Sequence, residues 1–159
     1  MNFLAIMIAA LVLAGCAEES KQGSTHTIEA LRGQWVVINY WAKWCKPCIR
    51  EIPELNRLDR DYAEISVLGV NYDDATGEDL ATQIHQLDIE FPVLPQDPAA
   101  GLGAPRPVVL PTTLILNPAG QLTQTLLGPQ TLDSLLQAIK KPANGPVWRK
   151  SLKGDLGPE

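Results

Sequence analysis

Five residues, Trp44-Cys45-Lys46-Pro47-Cys48, constrain this chain more than any other stretch, because they close the apolar run Trp35-Val36-Val37-Ile38-Asn39-Tyr40-Trp41-Ala42. A β-rich hydrophobic run that ends in Cys-x-x-Cys at the mouth of a helix is the arrangement of a dithiol redox centre. Cysteines three residues apart at a helix start lie near one face and can close a small disulfide ring with little backbone movement. Cys45 falls at the helix N-terminus, where free backbone N–H groups and the helix dipole stabilise a thiolate, so it is the expected attacking sulfur. Cys48, one turn inside, is the expected resolving sulfur. Pro47 is compatible with a first helical turn, and Lys46 places a cation beside the nucleophile.

Other uses of a cysteine pair fit less well. A structural zinc site needs two more Cys or His ligands, and only Cys16, His26 and His85 remain, at unrelated spacings. Covalent haem attachment needs His after the second cysteine, where Ile49 stands. A purely structural disulfide stays open for an exported protein, although so short a ring adds little stability.

The start of the chain speaks for export. Residues 3–13 are apolar and lead into Leu13-Ala14-Gly15-Cys16. The run is short for a bilayer span and ends in small residues, so it reads as a secretory signal. Leu-Ala-Gly-Cys resembles the lipobox of bacterial lipoproteins, which implies cleavage before Cys16, acylation of that cysteine and a membrane contact through the lipid. The absence of Lys or Arg before the apolar run departs from that pattern. In such lipoproteins a residue other than Asp after the cysteine, here Ala17, favours the outer membrane where the host has one. Outside the cytoplasmic membrane a reactive dithiol is either an oxidant or a reductant supplied with electrons from elsewhere.

The expected organisation is therefore a signal over 1–15, a polar tether over 16–27, one domain over 28–141 and a Gly/Pro-rich tail over 142–159 that is polar apart from Trp148. The net charge of −5 gives no basic face, so nucleic acid is not an expected partner.

Within the domain, a short helical turn is expected at 28–31 and a strand at 35–41, nearly continuous in apolar residues as a strand covered on both faces should be. Asn39 is its one conspicuous polar residue. The helix after the cysteines is expected to reach about Tyr62, burying Ile49, Ile52, Leu55, Leu58 and Tyr62 and turning Arg50, Glu54, Arg57 and Arg60 outward. Pro53 should kink it. Glu51 stands one turn after Cys48, where a carboxylate can take or give the proton that thiol–disulfide exchange requires. A strand at 65–70, a helix at 77–87 carrying a surface His85, an extended segment at 91–94 and a loop at 95–107 follow. Strands at 112–116 and 121–127 then form a hairpin, and Thr131 caps a last helix ended by Lys140, Lys141 and Pro142. The order βαβα then ββα argues for an α/β fold with a mixed sheet and helices on both faces.

These residues together resemble a known group. The run 36–48, then Glu51, Pro53 and Leu55, then Leu110-Pro111-Thr112-Thr113 with Asn117-Pro118-x-Gly120, is similar to the thioredoxin-fold, membrane-anchored thiol–disulfide oxidoreductases of TlpA/ResA type. The resemblance covers about 28–140. It implies that Pro111 is a cis-proline facing the Cys45/Cys48 dithiol, that the backbone of Leu110 pairs with the substrate chain, that Trp44 borders the substrate, and that Glu51 tunes the cysteines. It also implies that no cofactor is needed. The expected partners are disulfide-containing exported proteins, apocytochrome c among them, and a membrane protein that donates electrons to a monomer of this chain. Net oxidation or isomerisation, and a non-catalytic binding lipoprotein that holds copper or a protein, are the alternatives. Two departures stand out: 16–27 leaves little room for the extra hairpin of many relatives, and Lys46 replaces an acidic or apolar residue.

Overall fold

The computed structural model describes residues 28–140. The expected signal, lipidation site Cys16, tether and tail beyond 140 lie outside the described residues. A single 3-10 turn, Ile28–Leu31, precedes strand β1, Trp35–Trp41. Then follow helix α1 (Lys46–Asp61), β2 (Ile65–Asn71), α2 (Gly77–Gln86), β3 (Thr112–Leu116), β4 (Leu122–Leu127) and α3 (Leu132–Lys140). The strands form one mixed sheet in the order β2-β1-β3-β4, with β1 parallel to β2 and antiparallel to β3, and β3 antiparallel to β4.

β1 is apolar at every position but Asn39 because it lies second in the sheet and is covered above and below. Val37 and Trp41 pack on one face with Ile52, Leu55 and Leu58 of α1 and Leu135 and Ile139 of α3. Leu80, Ile84 and Leu87, from α2 and its C-cap, pack against the same cluster. Val36, Ile38 and Tyr40 point the other way, onto Leu68, Val70, Leu114 and Leu116, where Ile28 and Leu31 of the 3-10 turn and Leu94 and Leu102 complete the cover.

The stripe expected on α1 is present: Ile52, Leu55 and Leu58 are buried, with Ile49 and Tyr62 half-buried. Pro53 lies on the solvent side, and the helix continues through it to Asp61. Glu54 corrects the expectation of an outward-facing side chain. It is half-buried and accepts a 3.0 Å hydrogen bond from the backbone N–H of Leu132, satisfying a donor that α3 cannot satisfy itself. Thr131 and Ser134 exchange side-chain and backbone hydrogen bonds across the start of α3, so Thr131 caps it as expected.

Two strand ends also move by a residue. β2 includes Asn71, whose side-chain oxygen Oδ1 accepts from the backbone N–H groups of Asp73 and Ala75 and so forms the exit turn. β4 begins at Leu122 because Gln121 closes the turn, its backbone bonded both ways with Asn117. The extended segment at 91–94 meets the outer edge of β2 at Gly69, which donates to Pro92 and accepts from Leu94 at 2.8 Å each. Among the described residues no helix is long and apolar enough to cross a membrane.

Candidate active site

Cys45 and Cys48 occupy the junction between β1 and α1. Cys45 is the N-cap of α1 in extended backbone conformation, Lys46 and Pro47 form the first turn, and Cys48 lies inside it. The two cysteines are joined as a disulfide with Cα atoms 5.3 Å apart. The Sγ of Cys45 accepts from the backbone N–H of Cys48 at 3.3 Å. That contact would stabilise a thiolate on Cys45 once the disulfide is reduced, because a free helix N–H already points at the sulfur. Cys45 is 4% exposed and Cys48 fully buried, which gives the first sulfur the easier approach.

Glu51 is the most unusual group near them. It is a carboxylic acid only 2% exposed, and α1 carries it on the side facing the sheet. Burial pushes its carboxyl up from the ordinary 4.5 to about 7, against hydrogen bonds from Gln130 and Asn39 that favour the ionised form. The backbone N–H of Gln130 donates to Oε2 at 2.8 Å, and Nδ2 of Asn39 donates to Oε1 at 2.6 Å. Asn39 also donates to Oγ1 of Thr113 at 3.1 Å, and the two residues are register partners on β1 and β3. Glu51 is thus buried and doubly hydrogen-bonded, in contrast to a solvated helix glutamate.

The Leu110–Pro111 peptide bond is cis. Pro111 is buried, and Leu110 packs against the core cluster that contains both cysteines. The hydroxyl of Thr112 donates back across the proline to the carbonyl of Val109 at 2.7 Å, and the backbone N–H of Gly128 donates to the carbonyl of Pro111 at 2.9 Å. Segment 128–130 therefore holds the proline loop at Gly128 and Glu51 at Gln130. The sequence reading assigned it no role. A Gly-Pro pair between a strand and a capped helix was the available signal, since Gly128 takes the left-handed φ of +80°.

Trp44 is 61% exposed, and its indole N–H points to the carboxylate of Asp73 at 2.9 Å. Arg106 grips the same turn, donating to the carbonyl of Tyr72 at 2.6 Å and to Asp74 at 3.2 Å while lying 4.9 Å above the Tyr72 ring. It also pairs with Asp97, which accepts from the buried hydroxyl of Tyr40 at 2.7 Å. Val108 and Val109, between Arg106 and Leu110, are left exposed. Next to them is an apolar groove of about 350 Å³ lined by Pro105, Pro107, Val108, Thr112 and Leu127. Neither Arg106 nor Gln130 was singled out from the sequence, because the contacts of both join segments dozens of residues apart.

Among the described residues no group of three His, Cys, Asp or Glu is assembled that could hold a metal ion. His85 is exposed on α2. Cys16 and His26 lie outside the described residues.

A two-cysteine helix cap and a cis-proline before β3, on a mixed sheet of this order, define a thioredoxin-fold protein that exchanges thiols and disulfides. By its sequence the chain belongs to the AhpC/TSA family, whose pattern it matches over residues 13–125. Within that family it is of ResA/TlpA type and is a thiol–disulfide oxidoreductase. It is 30% identical over 121 residues to the thiol-disulfide oxidoreductase ResA of Bacillus cereus, covering 76% of this chain and 70% of that one. It is also 30% identical over 121 residues to the thioredoxin-like protein YneN of Bacillus subtilis, covering 74% and 70%. Among solved structures, a DsbF homologue from Corynebacterium diphtheriae superposes with a TM-score of 0.61 at 24% identity, over 71% of this chain and 74% of that one. StoA from Bacillus subtilis does so with a TM-score of 0.55 at 22% identity, over 67% and 82%. At those identities the two structures speak for the fold.

Proposed function

We propose that this oxidoreductase works outside the cytoplasmic membrane, anchored by lipid at Cys16, and reduces disulfides in exported proteins. The observation that carries the chemistry is the buried Glu51 carboxyl, pushed up to about 7, one turn beyond Cys48 on the helix that Cys45 caps. The thiolate of Cys45 attacks a substrate disulfide. One Cys45–substrate bond forms, the substrate disulfide breaks, and one substrate sulfur leaves as a thiolate. Cys48 then gives up its proton and attacks Sγ of Cys45, which releases the second substrate sulfur and closes the Cys45–Cys48 disulfide. Two electrons pass from the dithiol to the substrate, and the protons of the two enzyme thiols end on the two substrate thiols. Glu51 serves as the local proton acceptor for Cys48, because a carboxyl titrating near neutrality can take a proton and return it at the same pH. Leu110 and Pro111 supply the backbone edge for the substrate chain, and Trp44 borders it.

Export is supported by the apolar run over 3–13 and the Leu13-Ala14-Gly15-Cys16 sequence. In an oxidising compartment the spent disulfide needs a dedicated donor, so a membrane electron-transfer protein completes the cycle. Exported proteins with reducible cysteine pairs, the haem-binding cysteines of apocytochrome c among them, are the substrates this reading assigns, with the chain acting as a monomer. An insulin-reduction assay on the wild type and Cys45→Ser tests the activity. Cysteine-dependent turnover is expected, and equal rates for the two proteins would make the chain a binding module.

A further inference from the structure

Asn39 is completely buried in the middle of β1, yet its hydrogen bonding is one-sided. Nδ2 donates to both Glu51 Oε1 and Thr113 Oγ1, whereas Oδ1 is buried without a partner among the described residues. Buried acceptors are ordinarily satisfied, so this one calls for an explanation. Both groups that face Nδ2 are reversible. A threonine hydroxyl donates as well as it accepts, and a carboxyl becomes a donor when it is protonated.

We propose that Asn39 is a two-state positioning residue for Glu51, presenting its amide N–H₂ to the ionised carboxylate and, turned over, its carbonyl oxygen to the protonated acid, with the Thr113 hydroxyl reversing in step. In the turned orientation Oδ1 accepts from the Glu51 O–H and from the Thr113 O–H. In the present orientation Nδ2 donates to both. The present arrangement leaves the amide oxygen unpaired and the turned one leaves the amide nitrogen unpaired, and the proton on Glu51 selects between them. Glu51 then meets a partner in both states at the same place, which lets it gain and lose a proton without unpairing a buried carboxyl.

The surroundings suit such a switch. Glu51 titrates near neutrality, so both states are populated at working pH, and its upward shift arises from burial, with the Gln130 and Asn39 hydrogen bonds opposing it. On α1 the nearby titratable groups are Cys45 and Cys48, joined as a disulfide, and Glu54, which is held by the backbone of Leu132. β1 and β3 present the amide of Asn39 and the hydroxyl of Thr113, neither of which ionises. From the segment before α3 comes the backbone N–H of Gln130. The inference rests on the proposed function only where that reading gives Glu51 the proton of exchange.

The test uses the oxidised full-length protein, in which neither Cys45 nor Cys48 titrates, followed by nuclear magnetic resonance from about pH 5 to about pH 9. The Glu51 side-chain carbon reports the carboxyl, and the cross-relaxation between the Asn39 amide protons and Thr113 reports the amide. The expected result is that this cross-relaxation is strong at high pH and lost at low pH, with the midpoint of Glu51. An amide that keeps one orientation while Glu51 titrates overturns the switch and leaves the proposed function standing. A Glu51 carbon that does not titrate in this range overturns the switch and removes the carboxyl from the proposed chemistry as well. In Asn39→Leu, which has neither donor nor acceptor, the Glu51 midpoint should rise by about one unit, since a bond to the charged form is stronger than one to the neutral acid. An unchanged midpoint contradicts the proposal.

Discussion

The carboxylate of Glu51 accepts a 2.8 Å hydrogen bond from the backbone N–H of Gln130, 79 residues further along the chain. That bond ties the helix bearing the cysteines to the segment that also holds the Pro111 carbonyl through Gly128. Segment 128–130 therefore links Glu51 on the cysteine-bearing helix to the Pro111 loop.

Glu51 should make stability depend on pH in an unusual direction. Its carboxyl lies at about 7 in the folded protein and at 4.5 when unfolded, so between those values the folded state holds the extra proton. The contribution of Glu51 to stability is then highest below about pH 4.5, falls as pH rises to 7, and is flat above. The fall amounts to about 3 kcal/mol at most. Urea unfolding of the oxidised protein should show that decline, and Glu51→Gln should remove it. A variant that declines in parallel with the wild type would place the titration elsewhere.

The two cysteines should behave asymmetrically. Cys48→Ser retains the attacking sulfur and should accumulate a stable mixed disulfide with a substrate peptide, whereas Cys45→Ser should form little of one. The ratio expected is at least ~10-fold, because only Cys45 has both the helix N–H and the exposure for attack. Mass spectrometry of the trapped adducts checks this, and equal trapping by both variants would reverse the assignment.

Gly69 marks a tight approach. A Cβ there would lie 2.9 Å from Nε1 of Trp41, 3.1 Å from Phe91 and 3.2 Å from Val93. Gly69→Ala should cost about 1–3 kcal/mol through overpacking and alter Trp41 fluorescence. A fully stable variant would mean that the segment at 91–94 moves away from β2 without penalty.

Much of the fold was legible because one period governs each element. β1 is apolar at every position but Asn39 because both faces are covered, and α1 repeats Ile52, Leu55 and Leu58 at three-residue intervals. Turn chemistry was equally plain at Asn117 and Gly120. Glu54 was misread because its partner is an unsatisfied N–H of α3, 78 residues away, and periodicity along one helix carries no such information. Gln130 went unnoticed and Thr113 was quoted only as part of a motif, for the same reason: an ordinary backbone N–H and a strand threonine acquire their contacts only when β3 and the segment before α3 assemble against Asn39 and Glu51. The cis state of Pro111 came from resemblance alone, since an X-Pro bond is cis in a small minority of cases.

Arg106 provides a separate test of the loop before Pro111. It is largely exposed, so its ion pairs add little to global stability, but together with the Tyr72 carbonyl and ring it fastens 105–109 to the β2 exit. Arg106→Ala should leave the melting temperature nearly unchanged while hydrogen exchange over 108–110 quickens and KM for a disulfide peptide rises more than kcat falls. Equal loss in both constants would assign Arg106 to the chemistry instead.

The direction of electron flow is the central claim, and the reduction potential of the Cys45/Cys48 pair tests it most directly. The protein is equilibrated in dithiothreitol and glutathione buffers and its thiols are trapped and counted. A potential near that of thioredoxin, ~−270 mV or lower, is the result the reductase account predicts. A value near ~−120 mV, that of a strong disulfide donor, would contradict it and make the chain an oxidant of exported proteins.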